Sequence, residues 1–157
     1  MKRIFELLLI VLILLIQLYN GESVENKQSE DIATAQKDVV VHIVDGDTFD
    51  IASGKRVRLI GIDTPERGEY FYKEAKERLR ELVENKEVIL KKDISETDRY
   101  GRLLRHVYLD DVWINKLMIE EGYARFVTYP PDVNHVEVFK KAQEKAREDG
   151  VGLWKKR

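Results

Sequence analysis

The chain has 157 residues, with 27 Lys and Arg against 29 Asp and Glu and a formal net charge of −2. That length suits one compact domain with appendages, and the charge balance excludes a protein held to nucleic acid by bulk positive charge, which would release many counterions. There is no cysteine, which excludes disulfide frameworks, thiolate metal sites and cysteine nucleophiles, so a bound metal must use oxygen or imidazole.

Residues 1–20 begin Met1-Lys2-Arg3 and continue with an apolar run from Leu7 to Ile16. A basic start followed by about ten apolar residues has the layout of a secretory signal peptide. No small-x-small cleavage site follows at Tyr19-Asn20-Gly21-Glu22, so an uncleaved N-terminal membrane anchor is the second reading and a buried core helix the third. Residues 21–37 are polar and lack apolar periodicity, as a linker does. The working domain is expected at 38–157.

Within it, β-branched residues from Asp38 to Val44 predict a strand that stops at the turn pair Asp45-Gly46. Asp47 to Ala52 and Lys55 to Ile62 predict two more strands, joined through Ser53-Gly54 as antiparallel neighbours. From Glu69 to Glu84, Phe71, Ala75, Leu79, Leu82 and Val83 fall on one helical face. Strands follow at Lys86 to Lys91 and Arg102 to Leu109. A second helix covers Trp113 to Glu121, with Ile114, Leu117 and Met118 inward and Gly122 as its stop. A third covers Asn134 to Asp149, with Phe139, Ala142 and Ala146 inward. Five short strands with three helices make an α+β chain whose sheet suits a small, closed or partly closed OB-type β-barrel.

Three polar clusters sit at the predicted turns. Asp45-Gly46-Asp47-Thr48 places two carboxylates around a glycine, a pattern that is also a common hairpin turn. Asp63-Thr64-Pro65-Glu66 ends the third strand; Pro65 biases Thr64 toward an extended backbone whose carbonyl can accept a metal. A plain turn is the alternative for this cluster too; taken together, Asp47, Asp63 and the Thr64 carbonyl could supply three of the oxygen ligands a hard cation such as Ca2+ needs, with water completing the shell. Arg58 and Arg102 are the third element, because guanidinium forks grip phosphate bidentately. His42, His106 and His135 are scattered along the chain and read as surface or packing residues.

The ordered set Val44-Asp45-Gly46-Asp47-Thr48, Val57-Arg58-Leu59-Ile60-Gly61-Ile62-Asp63-Thr64-Pro65-Glu66 and Thr97-Asp98-Arg99-Tyr100-Gly101-Arg102 resembles the staphylococcal nuclease family. The likeness runs on through Ile114-Asn115 and Glu121-Gly122-Tyr123-Ala124 to Gly152-Leu153-Trp154, covering about residues 38–154. The resemblance implies an SNase-like barrel and a calcium-dependent nuclease that cuts DNA, RNA or both and leaves 3′-phosphate products. It implies Asp47, Asp63 and Thr64 as calcium ligands, and Glu66 as the acid that orients or deprotonates the attacking water. Arg58 and Arg102 become the phosphate-holding arginines, and Tyr100 and Tyr129 nucleotide-contacting tyrosines. Arg99 stands where the family has lysine. Only Arg67-Gly68 separates Glu66 from the first helix, where the family has a longer, lysine-rich loop. The rival expectation is a noncatalytic SNase-like module that binds nucleic acid or protein. A monomer, secreted or anchored at the outer face of the cell membrane, is expected, with any membrane contact confined to the N-terminal segment.

Overall fold

The run Val39-Val40-Val41 favours extended backbone, since β-branched side chains pack well on a pleated surface. In the computed structural model, which describes residues 36–155, this run lies within strand β1 (Gln36–Ile43). The expectations for residues 1–20, and for the linker as far as residue 35, lie outside the described residues. Gln36 and Lys37, expected in the linker, already pair with Leu90 and Ile89. Among the described residues no helix is long and apolar enough to cross a membrane.

Strand β1 changes partners along its length. Its first half pairs with β5 (Glu87–Lys91) and its second half with β2 (Thr48–Ile51), with an irregularity in register between Val40 and His42. That bulge lets both Val40 and Ile43 point inward and bends the sheet, as an extra residue on one strand does. Strand β2 pairs with β3 (Arg56–Leu59), and β5 pairs with β6 (Leu103–Leu109). Parallel pairing of β3 with β6, Val57 opposite Leu103 and Leu59 opposite Arg105, closes the five strands into a barrel. The expected five-stranded architecture is therefore present. Its interior is filled by Phe49, Val57, Leu59, Val88, Leu90, Leu103 and Val107, all buried.

The predicted third strand, Lys55 to Ile62, is in fact broken. β3 ends at Leu59, and β4 (Ile62–Asp63) turns away to pair with β8 (Arg125–Phe126). The break falls at Gly61, which takes φ +76° and where a Cβ would lie 2.4 Å from the Phe139 ring. Only glycine fits both the left-handed backbone and the close approach. The two-residue strands β4, β7 (Val112–Trp113) and β8 are too short to show a period in sequence.

Helix α1 (Tyr72–Val83) buries Ala75, Leu79 and Val83. Phe71, expected on its inner face, instead precedes the helix in a left-handed conformation and stacks on Tyr123 at 5.3 Å. Helix α2 (Ile114–Glu120) buries Ile114, Asn115, Met118 and Ile119, and helix α3 (Val136–Asp149) buries Phe139, Ala142 and Ala146. Asn115 is the polar exception in this interior. Its amide donates to the carbonyls of Ile60 at 2.9 Å and Arg105 at 3.2 Å, and its Oδ1 accepts from Val107 N–H at 2.8 Å. It thus satisfies the Ile60 carbonyl and the Val107 N–H just past the last β3–β6 pair, and adds a second donor to the Arg105 carbonyl, which also accepts the Ile60 N–H at 3.0 Å.

Candidate active site

The turn between β1 and β2 begins from an Asx interaction in which Asp45 Oδ1 accepts the Asp47 N–H at 3.1 Å. Gly46 is packed so closely that a Cβ would lie 2.8 Å from Thr64 Oγ1 and 2.9 Å from the Ala75 Cβ. Lys76 of α1 donates to the Val44 carbonyl at 2.9 Å, tying the helix to the turn. The result directs Asp47 inward, 5 % exposed. Its Oδ1 accepts from the Thr48 hydroxyl, and its Oδ2 from both the N–H and the hydroxyl of Thr64, each at 3.0 Å.

Arg58, on β3, completes this knot. Its Nη2 lies 3.1 Å from Asp47 Oδ2 and 3.5 Å from Asp63 Oδ1. Its Nη1 donates to the carbonyls of Leu59 at 2.9 Å and Ile62 at 2.8 Å, spanning the break at Gly61. The structure therefore brings Asp47, Asp63, Thr64 and Arg58 together. Burial pushes the Asp47 carboxyl up to about 6; Arg58 opposes the rise, Asp45 adds to it, and the hydrogen bonds from Thr64 and Thr48 lower it.

One guanidinium facing two carboxylates leaves negative charge in excess. The donor set is entirely oxygen, and no hydrogen bond among the described residues ends on the Thr64 carbonyl. Asp47, Asp63 and Thr64 thus fit a hard cation in chemistry and in charge. Among the described residues no cluster of three or more His, Cys, Asp or Glu forms a ready-made cage, so water or a ligand would complete the coordination shell.

Arg58 also lines a cleft of about 530 Å3 with Arg99, Tyr100, Arg102, Tyr129 and Asp132. This unites the two arginines and the other residues expected to bind substrate. Tyr100 and Tyr129 are 69 % and 61 % exposed, large rings left in solvent at the cleft mouth. Arg99 and Arg102 lie against the Tyr100 ring at 4.8 and 5.5 Å, within cation–π range. Glu66 is exposed, and its N–H donates to Glu69 Oε2 at 2.8 Å. No hydrogen bond ties its side chain to the other candidates among the described residues.

Two contributors were not singled out from sequence. Asp98 accepts from Arg102 Nε at 2.6 Å, and also from the N–H groups of Arg102 and Tyr100. Burial opposes ionisation of Asp98, but these hydrogen bonds outweigh it and hold the carboxyl below its ordinary range. Asp132 accepts the N–H groups of Ile94 and Ser95 at 2.9 and 2.8 Å, joining two loops of the cleft wall. An Asp beside glycine and arginine hints at a turn, but nothing in sequence reveals which side chain it grips. The histidines are less scattered than their spacing suggests. His106 and His135 meet edge to face at 4.7 Å and pack with Trp113 and Phe139, a packing role well inside the fold for His106.

The sequence profile of a family described as Staphylococcal nuclease homologue matches residues 56–156. A protein named Thermonuclease from Staphylococcus intermedius is 32% identical over 155 residues, covering 93% of this chain and 92% of that protein. A Micrococcal nuclease from Shigella flexneri is 37% identical over 130 residues, covering 73% of this chain and 71% of the relative. An Endonuclease YncB from Bacillus subtilis (strain 168) is 32% identical over 124 residues, covering 72% of this chain and 59% of that protein.

Proposed function

The chain belongs to the staphylococcal nuclease homologue family, and from that premise we propose that it is a calcium-dependent nuclease hydrolysing phosphodiester bonds of DNA, RNA or both. The observation that carries the reading is the position of Arg58. It touches Asp47 and Asp63 on one side and shares a cleft with Arg102 on the other. A phosphate in that cleft meets two guanidiniums, whose hydrogen bonds strengthen as charge builds on the equatorial oxygens in the transition state.

Glu66 orients a water for in-line attack and accepts its proton. Asp47, Asp63 and the Thr64 carbonyl would hold Ca2+, which would supply neutralisation of the phosphate charge. Arg99 adds a cation beside the substrate, and Tyr100 and Tyr129 offer ring faces to its nucleosides. Cleavage breaks the P–O5′ bond as the water oxygen bonds to phosphorus, leaving a 3′-phosphate and a 5′-oxygen that is protonated to the hydroxyl. Export through residues 1–20 belongs to the same reading; N-terminal sequencing of protein recovered from culture medium and from membranes tests it.

The test of function is degradation of single-stranded DNA and RNA by the purified chain with calcium, then with chelator, followed by end-group analysis. Degradation that needs calcium and yields phosphatase-sensitive 3′ ends is expected. Degradation indifferent to chelator overturns the calcium assignment. Intact substrate under both conditions favours a noncatalytic binding module.

A further inference from the structure

Tyr100 and Arg102 form a shared wall. On one side they line the candidate catalytic cleft; on the other they line a second, open cleft of about 810 Å3, bordered by Val41 of β1, Asp50 of β2 and Arg56 of β3. Val41 is 49 % exposed, an apolar side chain presented on the outer face of the barrel. Arg56 Nε and Nη2 grip Asp50 Oδ1 and Oδ2 at 2.7 and 3.1 Å. This bidentate pair holds the fork in place, while Nη1 makes no hydrogen bond among the described residues. The second cleft therefore offers an oriented cation and an apolar surface, next to the arginine placed at the reacting phosphate.

We propose that the second cleft binds the continuation of a single-stranded polynucleotide beyond the scissile phosphate, with Arg56 at a backbone phosphate and Val41 beneath a base. The inference rests on the reading of the chain as a nuclease. A phosphodiester held at Arg58 and Arg102 carries nucleotides on both sides, and a longer strand has to continue past the catalytic cleft. One OB-type barrel typically covers roughly 4–16 nucleotides, so the strand must leave the first cleft. The second cleft adjoins it across Arg102. A chain of net charge −2 has no general positive field to hold that continuation, so contacts at oriented cations carry more of the binding. Asp50 both positions Arg56 and masks its charge, which gives the site a built-in restraint on affinity.

The experiment uses the full chain and three surface variants, Val41→Glu, Arg56→Gln and Asp50→Asn, each checked for native circular dichroism. The first readout is the ratio of kcat/KM on octathymidylate to kcat/KM on a thymidine dinucleotide. The second is binding of fluorescent octathymidylate in chelator, where no calcium-dependent cleavage occurs. Val41→Glu and Arg56→Gln are expected to lower the ratio and the octamer affinity about tenfold, the size of one lost stacking or phosphate contact. Arg56→Gln should also reduce the slope of log affinity against log salt by about 0.7. Asp50→Asn is expected to raise both, because it unmasks Arg56. Ratios and affinities equal to those of the unaltered chain, or an Asp50→Asn effect in the same direction as Arg56→Gln, overturn the proposal. If the unaltered chain cuts neither substrate, the nuclease reading fails, and the binding arm still decides the second cleft by the same criteria.

Discussion

The guanidinium of Arg58 lies 3.1 Å from the carboxylate of Asp47, with Asp47 buried in the wall of the barrel and Arg58 largely buried beside it. A buried pair of this kind is costly to break, because its surviving member keeps its desolvation penalty. Arg58→Ala should therefore lower kcat by about 100-fold or more, the scale of a lost transition-state donor, and also destabilise the fold by roughly 3 kcal/mol. Arg102 is more exposed and pairs with Asp98, so Arg102→Ala should reduce turnover on a similar scale with a stability loss of about 1 kcal/mol or less. Urea titration alongside single-turnover kinetics separates the two. Equal stability losses would contradict the assignment of Arg58 as a structural as well as a chemical bridge.

Asp98 accepts from the Nε and the backbone N–H of Arg102 and from the backbone N–H of Tyr100, leaving the terminal guanidinium nitrogens of Arg102 to meet a phosphate. Asp98→Ala frees the side chain and the turn together, and we expect a drop in kcat of roughly tenfold to 100-fold, as misplacement of a catalytic group produces. KM should change much less. Asp98→Asn keeps one acceptor for the turn and should recover part of the loss. A rise in KM with kcat unchanged would remove Asp98 from the positioning role.

Gly46 sits where a methyl group would press on Thr64 Oγ1, Thr64 Cβ and the Ala75 Cβ within 2.9 Å. Gly46→Ala should displace Thr64 from Asp47, costing about 1–3 kcal/mol through overpacking. It should also raise the calcium concentration needed for half-maximal activity. Calcium titration of activity, compared with the unaltered chain, checks this; an unchanged requirement would separate Gly46 from the proposed calcium site.

His106 is buried, and neither ring nitrogen has a hydrogen-bond partner among the described residues. Burial lowers its pKa from 6.5 to about 3; His135 adds to the fall and Asp132 opposes it. Asp93 Oδ2 lies 4.0 Å from Nε2, and Trp113 and Phe139 cover the remaining faces. A basic group whose folded pKa is depressed binds its proton more readily in the unfolded chain. Its stabilising contribution is therefore complete above the unfolded pKa and is lost as pH falls from about 6.5 toward 3. His106→Phe should remove several kcal/mol of acid sensitivity over that window. Urea midpoints at pH 7 and pH 4 for the two proteins measure the difference. Parallel losses would place the acid sensitivity elsewhere.

Much of the barrel is legible along the chain, because its signals are short-ranged. The Val39-Val40-Val41 run, the Asp45-Gly46 turn and the spacing of Ala75, Leu79 and Val83 each act within a few residues. The break at Gly61 is not legible in the same way. An alternating strand reads straight through Ile60-Gly61-Ile62, and the fold breaks it only because Phe139, brought in from α3, occupies the space a side chain would need. Phe71 likewise leaves the expected helix face to meet Tyr123, a partner that the helical period does not contain.

The same division holds at the candidate site. The order and spacing of Asp47, Arg58, Asp63, Thr64, Glu66, Arg99, Tyr100 and Arg102 along the chain are enough to suggest the chemistry and the family, since each residue type is a local property of a turn or strand. What the tertiary structure decided is their convergence. Arg58 bridges Asp47 and Asp63 because the chain doubles back at Gly61, and it shares a cleft with Arg102 because β3 pairs in parallel with β6. Asn115 and Asp132 acquire their partners only through that closure, whereas Asp98 meets Arg102 and Tyr100 within its own turn. A turn or hairpin is stabilised by neighbours in sequence, whereas the meeting of Arg58 with Arg102 in one cleft, and of Asp132 with Ile94 and Ser95, forms only once barrel closure has met the entropic cost of bringing them together.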